Sequence, residues 1–252
     1  MSKLSLGSEA FLTNLKTYLI ASGKKEKEIN ETVEELRDHL HEAEKDGKDV
    51  SHITGQSPKK YMKELSGEMD VDVKSVFNIG ALVIAGGLSF IVMGDAIRGD
   101  LSYSLLQIIG YPIIALAYLL GVAVTLKYLS ARTLSKKKEF FVFLPVGMVP
   151  GVLFLALIFL NQVVVTPTFV FPEWARVVVF LLAMGLLIFM SIWSKTWILI
   201  FVALVLLVPE WVLSQMQFQE ETHLIALSVS TLGGFALIVL YLFFKAKKAA
   251  PQ

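Results

Sequence analysis

The chain has 252 residues, is 55% hydrophobic, contains no cysteine and carries a formal charge of +1. A mean hydropathy of +0.64 lies above the range of ordinary soluble domains. The lack of cysteine excludes disulfides, zinc–thiolate centres and cysteine nucleophiles.

Charge is concentrated at the start. Residues 1–75 hold 12 of the 23 Lys/Arg and 15 of the 22 Asp/Glu. This segment is net acidic, which argues against direct nucleic-acid binding. It opens on Met1-Ser2-Lys3 and stays polar, with no apolar h-region, so it does not read as a secretory signal peptide.

Three helices are expected here. The first has Ser8 as N-cap, turns Phe11, Leu12, Leu15, Tyr18 and Leu19 to one face, and ends at Gly23. The second runs from Lys25 to Asp46. Ile29, Val33, Leu36, Leu40 and Ala43 form a narrow 4-3-4-3 apolar seam on it. Glu31, Glu34, Glu35, Asp38, Glu42 and Glu44 fill the rest as an acidic, solvated face, and Gly47 stops it. Val50 and Ile53 are expected to fold back on the core. The third helix has Ser57 as N-cap, Pro58 at N1, Tyr61, Met62 and Leu65 inward, and Gly67 at its end. His39 and His41 diverge by about 200° around a helix, so they cannot share a metal. A domain this small buries little surface, which invites a partner.

Six apolar spans follow, at 76–94, 104–126, 140–160, 177–193, 196–213 and 223–244. Each is of the length needed to cross a hydrocarbon core of about 30 Å. The gap with Lys127, Arg132, Lys136, Lys137 and Lys138, the hairpin with Lys195, and the tail with Lys245, Lys247 and Lys248 are basic. The positive-inside rule makes these gaps cytoplasmic, with both chain termini inside. Trp174 and Trp211 then fall at outer ends, Trp193 and Trp197 at inner ends, as indole rings prefer. Small residues recur at Ala226, Ser230 and Gly234, at Gly147 and Gly151, and at Ala117 and Gly121, in the pattern of close helix packing. Pro145 and Pro150 are expected to kink or open the third span. The fold class is therefore all-α: a cytoplasmic three-helix domain (1–67), a juxtamembrane linker (68–75) and a six-helix transmembrane bundle (76–248).

Two outer features are candidates for sensing. Glu210 follows Pro209 near the outer end of span five; it reads either as a snorkelling interface carboxylate or as a ligand or proton sensor. The loop 161–176 is apolar, β-branched and broken by two prolines. It reads as an extended surface segment that either receives a lipid or amphipathic peptide, through Phe169, Phe171 and Trp174, or packs over the bundle.

The stretch Phe11-Leu12-x2-Leu15-x2-Tyr18-Leu19, then Ile29-x3-Val33-x-Glu35-Leu36-x-Asp38-His39-Leu40-x-Glu42-Ala43, then Gly47-Lys48-x-Val50-x2-Ile53-x-Gly55-x2-Pro58-x2-Tyr61 resembles the HAAS domain. That name denotes an HTH-associated α-helical signalling domain of bacteria. The resemblance covers residues 8–66; Ser57 stands where an Asp is expected before Pro58. It implies signal relay to a cytoplasmic partner such as a PadR-like transcription regulator. It carries over no catalytic residue, and no family is assigned to the six spans.

No P-loop, His-Glu-x2-His or Gly-x-Ser-x-Gly pattern is present. The expectation is a non-enzymatic signalling protein of the bacterial plasma membrane, with no cofactor or metal. Its partners are the bilayer, a basic docking protein on Glu31, Glu34, Glu35, Asp38 and Glu42, and a second copy of the chain. The alternative is a permease-like or accessory subunit of an exporter served by a separate ATPase.

Overall fold

The computed structural model describes residues 4–48, 57–132, 134–216 and 218–249. The expected fold-back of Val50 and Ile53 lies outside them. Among the described residues the protein is helical apart from one two-stranded ribbon, and it forms two compact units. Residues 1–81 and 113–159 make one; residues 82–112 and 160–252 make the other.

In the first unit, α1 (Leu6–Ala21), α2 (Glu26–Lys45) and α3 (Pro58–Glu68) enclose a small core. Leu12, Leu15, Leu19, Ile29, Leu40 and Met62 are almost wholly buried in it. At about 2 kcal/mol for each buried aliphatic side chain, these six are its main favourable term. The seam expected on α2 is the one that is buried. Ser57 caps α3 by accepting from the Lys60 amide.

Three expectations are corrected. The N-cap of α1 is Ser5, which accepts from the Ser8 amide at 3.2 Å. Glu44 is partly exposed but does not stand free like the rest of the acidic face. It accepts the Ser5 amide at 3.0 Å and the Ser8 hydroxyl at 2.6 Å, closing α2 onto the start of α1. Gly67 does not end α3, which runs on to Glu68.

Downstream come α4 (Val73–Arg98), β1 (Ser102–Ser104), α5 (Leu105–Ser130), α6 (Lys136–Val163), β2 (Thr168–Val170), α7 (Glu173–Trp193), α8 (Ile198–Ser214) and α9 (Glu220–Ala249). Helices α4, α5, α6, α7 and α9 are long and apolar enough to cross a membrane; α8 is apolar but has 17 residues. The chain is a multi-pass membrane protein by helix length and hydropathy. Pro145 and Pro150 both lie inside α6, which continues through them. In the second unit Met93, Leu187 and Ala203 form the centre of a core between α4, α7 and α8. Gly234 of α9 meets Val205 of α8, where an added Cβ would not fit, as its small-residue stripe suggests. Gly147 and Gly151 have nothing within 4 Å of an added Cβ.

β1 and β2 are antiparallel, pairing Ser102 with Val170, Tyr103 with Phe169 and Ser104 with Thr168. The loop 161–176 is thus extended at Thr168–Val170, as expected, and these residues stay exposed while their backbone is paired. Its β-branched and aromatic run is satisfied by a partner strand, so it departs from the all-α expectation by these few residues.

Candidate functional site

The first candidate is the junction between the N-terminal helices and α4. Gly23 closes α1 with φ +70°, a backbone that L side chains rarely adopt. The turn it makes holds the segment before α4. Lys24 forms an antiparallel bridge with Val71, and its Nζ donates to the Met69 carbonyl at 2.7 Å. Lys25 Nζ pairs with Asp70 at 2.9 Å. The Asp72 amide donates to the Gly23 carbonyl at 2.9 Å. The Asp72 carboxylate in turn accepts the Ser75 amide at 3.0 Å, capping the first turn of α4. Hydrogen bonding from the Ser75 amide holds the Asp72 carboxyl below its usual range, and the Lys25 ammonium does the same for Asp70. In the same unit Lys127, near the end of α5, lies 5.1 Å over the Tyr18 ring.

The second candidate lies at the other end of α4. Arg98, its last residue, pairs with Asp95 one turn back and with Glu210 of α8 at 3.2 Å. Glu210 is 4% exposed, so it faces inward. The Tyr103 hydroxyl donates to the second oxygen of Asp95 at 2.7 Å. Burial, with that carboxylate, pushes the phenol well above its usual range, so it remains a donor. The Tyr103 ring meets Tyr111 and Phe171 edge-on, at 6.5 Å and 6.4 Å between centroids. Ser104 and Gln107 form a reciprocal cap on α5: the Ser104 amide donates to Gln107 Oε1 and the Gln107 amide to Ser104 Oγ. The Ser104 hydroxyl also reaches Asn161 near the end of α6.

The site residues expected from sequence separate into groups. Glu31, Glu34, Glu35, Asp38 and Glu42 are all exposed on α2. Glu31 pairs with Lys27 and Glu34 with Arg37, both loosely, at 3.7 Å and 3.9 Å. Phe169 and Phe171 are brought to the ribbon, where Phe171 joins the Tyr103 cluster. Trp174 projects outward at the start of α7. Asp95, Arg98 and Tyr103 were not singled out from sequence. The signal available was an Asp–Arg pair one helical turn apart at the end of an apolar run.

Residues 90–208 match the family model of the HAAS transmembrane region. The match starts within α4 and ends within α8; it includes Asp95, Arg98 and the ribbon and stops short of Glu210. It falls on the spans to which sequence reading assigned no family. No curated protein matches the chain. No solved structure matches it.

Proposed function

We propose, from the HAAS transmembrane region that residues 90–208 represent, that this protein is a non-enzymatic relay between the membrane and a cytoplasmic partner. α8 completes six spans, the Lys-rich gaps lie inside, and the N-terminal helices are cytoplasmic in a bacterial plasma membrane. The observation that carries the reading is α4 itself. One unbroken helix has the Asp95–Arg98–Glu210 set at one end and the Gly23–Asp72 junction at the other. Its 26 residues span about 39 Å at 1.5 Å each, the thickness of a bilayer with its headgroups.

A shift of α4 has a mechanical outlet at the junction. The linker is a few residues long and tied to the α1–α2 turn by the Lys24–Val71 bridge, to which the Asp72–Gly23 hydrogen bond belongs, and by two lysines, so it cannot absorb movement as a slack chain does. The turn leads directly into α2, whose exposed acidic face is the docking surface for a basic partner such as a PadR-like regulator.

The experiment is co-purification of the tagged full chain from its native membrane in mild detergent. Glu34→Lys with Glu35→Lys is expected to release the partner without loss of folded protein. Undiminished capture would overturn the acidic docking face, and capture of a nucleotide-binding subunit would move the assignment to an exporter.

A further inference from the structure

A cavity of about 320 Å³ lies between α4, α8 and α9. Its charged groups are at one end: Arg98 is the last residue of α4, and Glu210 is near the end of α8. Deeper along the same helices it is apolar, with Phe90, Leu206 and Leu227 in its wall and Thr231 beyond them. This grading follows that of the bilayer, with charge at headgroup level and hydrocarbon below.

The two carboxylates of this set are not equally satisfied. Two carboxylates, Asp95 and Glu210, share one guanidinium. Asp95 is satisfied by Arg98 through one oxygen and by the Tyr103 hydroxyl through the other. Glu210 is not. Its Oε1 is buried and, although within 3.2 Å of Arg98, receives no aligned hydrogen bond. A buried carboxylate short of donors, facing an apolar cavity, calls for a cationic donor.

We infer that this cavity binds a single-chain lipophilic primary amine in its ammonium form, with the head on Glu210 and the chain between α4, α8 and α9. This rests on the relay reading and names its stimulus class. The volume is at the lower end for small-molecule sites and suits one alkyl chain rather than a two-chain phospholipid. The ammonium supplies the donor that Glu210 Oε1 lacks, and it leaves Arg98 on Asp95.

The test is calorimetric titration of the full chain in phosphatidylcholine nanodiscs at neutral pH, with empty nanodiscs as the partition control. The probes are octylammonium, octanol and octanoate. Octylammonium is expected to bind saturably, one per chain, at least about tenfold tighter than either neutral or anionic analogue. Glu210→Gln should weaken it about tenfold or more. Thr231→Phe, which fills the deep end and leaves the ionic set intact, should do the same. Equal affinity for octanol, binding indifferent to both variants, or no saturable binding above empty nanodiscs would overturn the inference. Loss with Glu210→Gln but not with Thr231→Phe would overturn the cavity as the place. None of these outcomes bears on whether α4 couples its two ends, which is read without ligand by amide exchange at Gly23 and Asp72.

Discussion

The amide of Asp72 donates to the carbonyl of Gly23 at 2.9 Å, joining the residue that caps the first membrane helix to the one that closes α1. Gly23 has φ +70°, and an added Cβ would lie 2.9 Å from Val76 Cγ2. Gly23→Ala is therefore expected to cost about 2 kcal/mol, from left-handed backbone strain and displacement of Val76. Chemical denaturation of the full chain in mild detergent measures it. The same variant should speed amide exchange at Asp72.

Glu44 gives the N-terminal core a pH dependence. Hydrogen bonds from Ser5 and Ser8 hold its carboxyl below the ordinary value of 4.5. The folded state thus favours the ionised form, and the unfolded state binds the proton more readily. The resulting stability is fully present above about pH 4.5 and is lost as pH falls through the lower folded-state value. Wild type should lose stability more steeply than Glu44→Gln across that acidic window. Parallel curves would count against the assignment.

Arg98 and Glu210 should respond unequally. Glu210→Gln leaves Arg98 paired with Asp95 and half-exposed, so solvent limits the loss to about 1 kcal/mol. Arg98→Ala leaves a carboxylate that is 4% exposed without its cation, and about 3 kcal/mol is expected. Adding Glu210→Gln to Arg98→Ala should restore part of that loss. A double-mutant cycle on thermal unfolding reads the coupling directly.

Charge reversal on α2 should separate binding from folding. Glu31, Glu34, Glu35, Asp38 and Glu42 are exposed, and their ion pairs are long or solvated. Replacing Glu34 and Glu35 with lysine should change stability by no more than about 0.5 kcal/mol while partner capture falls. A matching loss of stability would mean that the face supports the fold instead.

Local patterns were legible in the sequence where a single helix decides them. The 4-3-4-3 seam on α2 and the Ser57-Pro58 start of α3 need no distant partner. The cap of α1 was not legible, because Ser5 and Ser8 are both competent and the choice depends on Glu44 on another helix. Polar residues between spans were read for topology, which counts charges but not pairs. Arg98 and Glu210 lie on different helices, and only the fold brings them together. The extended character of Thr168–Val170 was visible in its β-branched run, whereas its partner Ser102-Tyr103-Ser104 is equally short and has no β-branched residue to announce it.

In the proposed relay, α4 couples the ionic set to the Gly23–Asp72 junction. Hydrogen–deuterium exchange of the full chain in nanodiscs, wild type against Glu210→Gln, tests it most directly. The account requires altered exchange at Gly23, Lys24 and Asp72 as well as around Arg98. Changes confined to the residues near Arg98, Tyr103 and Glu210, with the Gly23–Asp72 junction unmoved, would contradict it.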